Sequence, residues 1–176
     1  MRHLCSTLVP AVVITALLMT SCGDESAYPV RTYNMGDQVT IGHLIYTVFE
    51  TQWLTHIGEG AKARVPQHRF FLVRISVVNG GSSETLIPNV SLHDDAGNTY
   101  TELSSGEGVS QWIGFLRNAR PADSAQGNVL FDAPPRHYKL KVTDENRERT
   151  ALIDIPLNFT SETPDVLTPG AEKEKK

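Results

Sequence analysis

The stretch Arg69–Asn79, RFFLVRISVVN, is the longest run of strand-forming residues in the part of the chain that can fold as a globule. Alternate side chains of an extended strand point to opposite faces. One face is wholly apolar and carries Phe71, Val73, Ile75 and Val77. The other face is mixed and carries Phe70, Leu72, Arg74, Ser76 and Val78. This pattern predicts a central strand with one face in a core and the other partly solvated.

Shorter extended segments surround this strand and are separated by turn-forming residues. Strands are predicted at residues 38–41, 44–55, 124–131, 138–143 and 150–155, with a more irregular segment at residues 84–94. The clearest alternation places Tyr138, Leu140 and Val142 opposite Lys139 and Lys141. No helical period is present. About seven or eight short strands at near-regular spacing predict an all-β fold, an antiparallel β-sandwich.

The N-terminus has the pattern of a secretory leader. Arg2 and His3 precede an uncharged apolar run at residues 8–19, which is shorter than the roughly 20 residues of a membrane span. Thr20-Ser21-Cys22 follows, and small residues before a cysteine at this place resemble the lipobox of bacterial lipoproteins. The resemblance implies cleavage before Cys22 and acylation of its thiol. The alternative is an ordinary secretory signal cut near Ser21.

These features divide the chain into four parts. Residues 1–21 are the expected signal peptide, residues 22–33 a lipidated tether, residues 34–157 the sandwich and residues 158–176 a disordered, Pro-, Glu- and Lys-rich tail. Of the two cysteines, Cys5 lies in the leader and Cys22 takes the lipid, so no disulfide forms within the mature chain. The expected location is the cell envelope, and the outer membrane in a Gram-negative cell, because Gly23 is not the retention residue Asp.

Four segments in this order resemble a family of secreted bacterial immunoglobulin-like domains of unknown function, described as telokin-like and related to immunoprotective extracellular proteins. The segments lie at residues 35–48, 71–79, 92–100 and 127–134. The resemblance covers about residues 34–157 and implies an immunoglobulin-like β-sandwich, often carried on a lipoprotein. The family has no assigned catalytic residues, so none is carried over to this chain.

The sequence shows no catalytic or metal-binding signature, so neither an enzyme nor a cofactor is expected. The five histidines from His43 to His137 show no metal-ligand spacing, and Asp94-Asp95 with Asn98 predicts a hairpin turn rather than a calcium loop. Glu102, Glu107 and Asp123 are expected on the solvated surface. The formal net charge of −4 without a basic cluster disfavours nucleic acid as a partner.

Three classes of function remain: a membrane-anchored binding module, an accessory envelope lipoprotein without its own ligand and, least favoured, a metal-binding or enzymatic protein. The glycine-rich segment Ser104–Ala122 is the expected contact if a partner exists, with Trp112 and Phe115 as the contact residues. The competing interpretation is that Trp112, Ile113, Phe115 and Leu116 fold inward and close one end of the sandwich.

Overall fold

The computed structural model describes residues 28–158, which consist mainly of β-strands. The strands are β1 (Arg31–Asn34), β2 (Val39–Ile41), β3 (Leu44–Leu54), β4 (Arg69–Asn79), β5 (Thr85–Leu86), β6 (Ser91–His93), β7 (Thr99–Thr101), β8 (Asn118–Ala119), β9 (Ser124–Ala133), β10 (Tyr138–Thr143) and β11 (Thr150–Ile155). A short 3-10 helix, Gly60–Lys62, lies between β3 and β4. Residues 28–158 contain no helix that is long and apolar enough to cross a membrane.

The strands form two main sheets that pack face to face. One sheet has the order β1-β11-β10-β6-β7 and the other the order β2-β3-β4-β9, while β5 and β8 form a small separate pair. Among the eleven described strands, the pairings are antiparallel except that of β1 with β11. The predicted all-β sandwich is therefore confirmed. The described strands outnumber the seven or eight expected because several have only two to four residues, too few to show an alternating pattern.

Strand β4 is the centre of the four-stranded sheet, as the sequence predicts. It pairs along its length with β3 on one side and with β9 on the other. Val73 and Ile75 are 0% and 1% exposed, which confirms the inward face. The core between the sheets also holds a group of aromatic rings: Trp53 stacks on Phe71 with ring centroids 4.1 Å apart, and the ring of Tyr138 lies 6.2 Å from that of Phe71.

The outward face of β4 is more buried than its mixed composition predicts. Phe70 and Leu72 are buried there, together with Ile57 and Leu130, in a second, smaller apolar cluster. Loops after β3 and after β7 supply Ile57, Leu103 and Val109 to this cluster. The four-stranded sheet is therefore covered on both faces at this end, and Arg74 lies further along the same outward face.

The described residues begin inside the segment that the sequence assigns to the tether. Arg31–Asn34 forms an edge strand with register from Arg31 opposite Ala151 to Asn34 opposite Asp154. Only Tyr33 of these four residues is partly buried. The sequence RTYN shows no apolar alternation, and the strand is therefore not predicted from it. Residues 1–27 and 159–176 lie outside the described part of the chain. The leader, the acylation of Cys22 and the disorder of the tail therefore stay predictions.

We expect Ile75→Ala to lower the free energy of unfolding by about 2–4 kcal/mol, because it leaves a cavity between the sheets. Arg74→Ala changes the outward face and should cost much less. Urea denaturation of both variants measures the difference. Equal losses would contradict the assignment of the two faces of β4.

Candidate binding groove and its supporting loop

Residues 104–116, here called the groove loop, run along the outward side of the four-stranded sheet and bond to the edge of β9. Directly before the loop, the Leu103 amide donates to the Leu130 carbonyl oxygen at 2.7 Å, and within the loop the Gln111 carbonyl oxygen accepts from the Asn128 amide at 2.8 Å. The Asn128 side-chain amide donates to the Ser110 carbonyl oxygen at 2.8 Å. The loop thus occupies hydrogen-bonding groups that an edge strand otherwise presents to solvent.

Glycines allow the groove loop to lie this close to the sheet. A Cβ atom at Gly127 would collide with the carbonyl oxygen of Gln111, and one at Gly106 would collide with the ring of Trp112. Gln111 itself has a positive φ of 52°, a backbone conformation that is uncommon for a residue with a side chain. Residues other than glycine with a positive φ are concentrated at functional sites, where the surrounding structure stabilises this backbone conformation.

Two adjoining depressions lie between the groove loop and strands β3 and β4, and together they form what we call the outer groove. The first has a volume of about 160 Å³ and is polar. Its lining residues are Glu50, Thr51, Gln52, Leu72, Arg74, Ser110, Gln111 and Asn128. The second, of about 210 Å³, shares four of these residues and adds Leu54, His56, Ile57, Gly58, Gly108 and Val109. The groove is therefore polar at one end and more apolar at the other.

The polar end contains the positively charged side chain of Arg74. Glu50, Arg74 and Asn128 stand side by side across β3, β4 and β9. Among the described residues, the guanidinium group of Arg74 makes no hydrogen bond and has no carboxylate oxygen within 4.0 Å, although the residue is half-buried. A half-buried guanidinium group offers donors in a planar fork that matches a carboxylate or phosphate group.

The structure separates the apolar side chains that the sequence groups together as a contact. Trp112 is half-buried with its ring against Gly106, and Ile113 packs against the main core. Phe115 is half-buried, whereas Leu116 is 80% exposed. Gln111, the residue before Trp112, lines the outer groove, whereas Trp112 is absent from its lining residues. These positions leave both interpretations of Trp112 and Phe115, as partner contacts or as packing residues, open to experiment.

A buried ion pair joins the two ends of the groove loop. Both Arg117 Nη atoms lie 2.9 Å from the carboxylate oxygens of Glu102, and each side chain is only 3% exposed. Arg117 also donates to the carbonyl oxygen of Gly114 at 2.8 Å, and the Val90 amide donates to Glu102 at 3.2 Å. The expectation that Glu102 is a solvated surface residue is wrong, because Arg117 compensates its charge inside the protein.

The residues that line the polar end carry little sequence signal. Gln52 and Asn128 are ordinary polar residues of strands, and no motif marks them. Arg74 is the exception, since a charged residue within the most apolar strand stands out. The burial of Glu102 and its partner Arg117, fifteen positions apart, could not be recognised because the intervening loop gives no alternating pattern.

The chain matches a known protein family over most of its described residues. Residues 33–148 match the family described as a domain of unknown function, DUF4352. The chain belongs to this family. No protein with a curated description matched the chain in sequence.

Solved structures that resemble the DUF4352 chain are also β-sandwich proteins. The yjhA protein of Bacillus subtilis has a TM-score of 0.55 and 15% identity, over 70% of this chain and 99% of that one. The secreted protein MPT63 of Mycobacterium tuberculosis has a TM-score of 0.53 and 14% identity, over 74% and 100%. A candidate lipoprotein of Bacillus subtilis, ycdA, has a TM-score of 0.51 and 13% identity, over 68% and 38%. At these identities the likeness shows the fold alone.

A second polar cluster of the DUF4352 domain lies on the outer side of the five-stranded sheet. His137 lies 3.2 Å from Asp95 and 2.8 Å from Asp154. The hydrogen bond to Asp95 and the charge of Asp154 outweigh partial burial and raise the pKa of His137. Asp94 caps the predicted turn and accepts hydrogen bonds from Asn98, which lower its pKa. Within residues 28–158, no three His, Cys, Asp or Glu side chains are placed to hold a metal ion.

We expect Arg117→Met to lower the free energy of unfolding by about 3–5 kcal/mol, because it leaves the carboxylate of Glu102 buried without a partner. The double change Arg117→Met with Glu102→Leu should recover much of this loss, since it removes both charges. Chemical denaturation of the single and double variants measures both effects. A loss below about 1 kcal/mol for Arg117→Met alone would show that the pair is not buried in solution.

Proposed function

We propose that this DUF4352 protein is a lipid-anchored extracytoplasmic binding module. In this proposal the sandwich is non-catalytic, the acyl chains on Cys22 hold it at the membrane, and the outer groove receives a ligand or a segment of a partner. The observation that carries the binding role is the half-buried Arg74, which pairs with no carboxylate within residues 28–158 and lies on the floor of a groove that is polar at one end and more apolar at the other.

The anchored location rests on the leader. The apolar run at residues 8–19 ends directly before Thr20-Ser21-Cys22, the arrangement that resembles a lipobox. The likeness to a secreted protein and to a candidate lipoprotein is consistent with a location outside the cytoplasm. A sandwich without an intrachain disulfide is compatible with that compartment, because its core is extensive.

The binding role rests on the chemistry of the outer groove. Arg74 offers donors to a negatively charged group, the side-chain amide of Gln52 offers hydrogen bonds beside it, and the carboxylate of Glu50 lies in the same lining. Leu54, Ile57 and Val109 at the other end favour an apolar group. A ligand with a carboxylate and an apolar part, such as the end of a peptide, matches this order. Trp112 and Phe115 in the groove loop are the proposed contacts for a larger partner.

Cys22→Ser tests the anchor. We expect the variant to lose incorporation of labelled palmitate and to resist the lipoprotein signal peptidase, because the acyl acceptor is gone. Metabolic labelling and fractionation of cells that express the full chain provide the measurement. The anchor is disproved if the variant is still acylated and remains with the membranes.

Arg74→Ala and Trp112→Ala test the groove. Each should reduce recovery of cross-linked partner from detergent-solubilised membranes, with the free energy of unfolding changed by no more than about 0.5 kcal/mol. Lys141→Ala, on the outer side of the other sheet, is the matched control and should leave recovery unchanged. Recovery equal to that of the control would argue against the groove and favour an accessory protein without its own ligand. A loss of several kcal/mol for Trp112→Ala would make Trp112 a packing residue.

A further inference from the structure

Tyr28, the first of the described residues, already contacts the sandwich, well before the first core strand. The guanidinium group of Arg149 lies over the ring of Tyr28 at 4.4 Å, and its Nη2 lies 3.5 Å from the Tyr28 hydroxyl. Arg31 then pairs with Ala151 as β1 begins. Cation–π contact and strand pairing together hold this segment to the turn between β10 and β11.

The short distance in sequence between Cys22 and Tyr28 limits how far the domain can stand from a lipid anchor. Six residues of fully extended chain span at most about 20 Å. By contrast, β3 with its eleven residues is roughly 35 Å long. A diacylglycerol group on Cys22 therefore holds the Tyr28 end of the sandwich near the bilayer, while the opposite end can stand well away from it.

Strand register shows which segments share the end that carries Tyr28. Thr143 and Thr150 pair there, so the turn at residues 144–149 lies beside Arg31. The turn between β2 and β3 is fixed at the same end, because the His43 amide donates to Glu145 at 3.1 Å. We call residues 28–31, 42–43 and 144–149 the anchor face.

The side chains of the anchor face suit a lipid headgroup layer. Tyr28 and Val30 are 46% and 52% exposed, and Arg31, Arg147 and Arg149 are exposed cations. Of the nearby acids, Glu145 contacts the His43 ring. Asp144 is buried and accepts hydrogen bonds from the amides of residues 148 and 149, which leaves Glu148 as the exposed acid of this turn. Tyrosine and arginine are residues that favour the membrane–water interface.

We propose that the anchor face rests on the bilayer, with Arg31, Arg147 and Arg149 directed at the phosphates of anionic lipid headgroups and Tyr28 and Val30 at the level of the headgroups. This orientation rests on the proposed acylation of Cys22. It turns the loop at residues 55–68, with the His56 end of the outer groove, away from the membrane, because β3 and β4 place that loop at the opposite end of the sandwich.

Fluorescence quenching on vesicles tests the orientation. The mature lipoprotein, acylated on Cys22, is reconstituted into phosphatidylglycerol vesicles that contain a headgroup-linked quencher. A fluorophore is attached to a single added cysteine, at Asn146→Cys on the anchor face or at Ala96→Cys on the turn at the opposite end. We expect at least about twofold stronger quenching at position 146. Equal quenching, or stronger quenching at position 96, overturns the orientation.

Mass spectrometry and flotation of the same samples separate this inference from the proposal on which it rests. A chain without acyl groups that does not float with the vesicles shows that the anchor is wrong. An acylated chain that floats and is quenched equally at both positions shows that only the orientation is wrong.

The arginine contacts have their own test. The double variant Arg31→Gln with Arg147→Asn should reduce the quenching at position 146 on phosphatidylglycerol vesicles. Asparagine is chosen at position 147 because it tolerates the positive φ of 63° there. Little change is expected on phosphatidylcholine vesicles, since the attraction depends on anionic lipid. The control is the double variant Lys139→Gln with Lys141→Gln. It removes two charges from the outer side of the five-stranded sheet. Equal effects of the two double variants on phosphatidylglycerol overturn the arginine contacts.

Discussion

The architecture depends on the constraint that β4 is paired on both edges, with its inward face buried in the core and its outward face covered at one end. A shift of register by one residue would move Val73 and Ile75 out of the core and bring Arg74 into it, which is prohibitively unfavourable. The register of β3 and β9 follows from that of β4, because each pairs with it over ten residue positions. The floor of the outer groove is made of outward-facing residues of these strands, so its geometry is inherited from the core.

The groove loop is held to this frame by polar contacts rather than by apolar packing alone. Its hydrogen bonds to Asn128 cover the edge of β9, and the buried pair of Glu102 and Arg117 joins its two ends. A buried ion pair contributes modestly to net stability, yet the loss of one partner is costly. Such a pair therefore favours one arrangement of the loop over alternatives that would separate the charges. This is a suitable property for a loop that lines a binding groove.

Anchoring and recognition occupy different parts of the molecule in the function we propose. The N-terminal segment is packed at the Tyr28 end, where β1 joins the five-stranded sheet through β11. The outer groove lies on the other sheet and extends toward the opposite end. A ligand could therefore reach Arg74 without competing with the membrane for the same surface.

The sequence by itself determined the features that depend on local periodicity. The alternation in β4 and β10 identified strands and inward faces, and Asp94 to Asn98 identified a turn, because side-chain direction and turn geometry are properties of a few consecutive residues. Tertiary structure decided the rest. Arg31–Asn34 is a strand only because β11 offers it a partner, and Glu102 is buried only because Arg117 folds back to meet it. Both outcomes depend on contacts between distant residues, which no local pattern encodes.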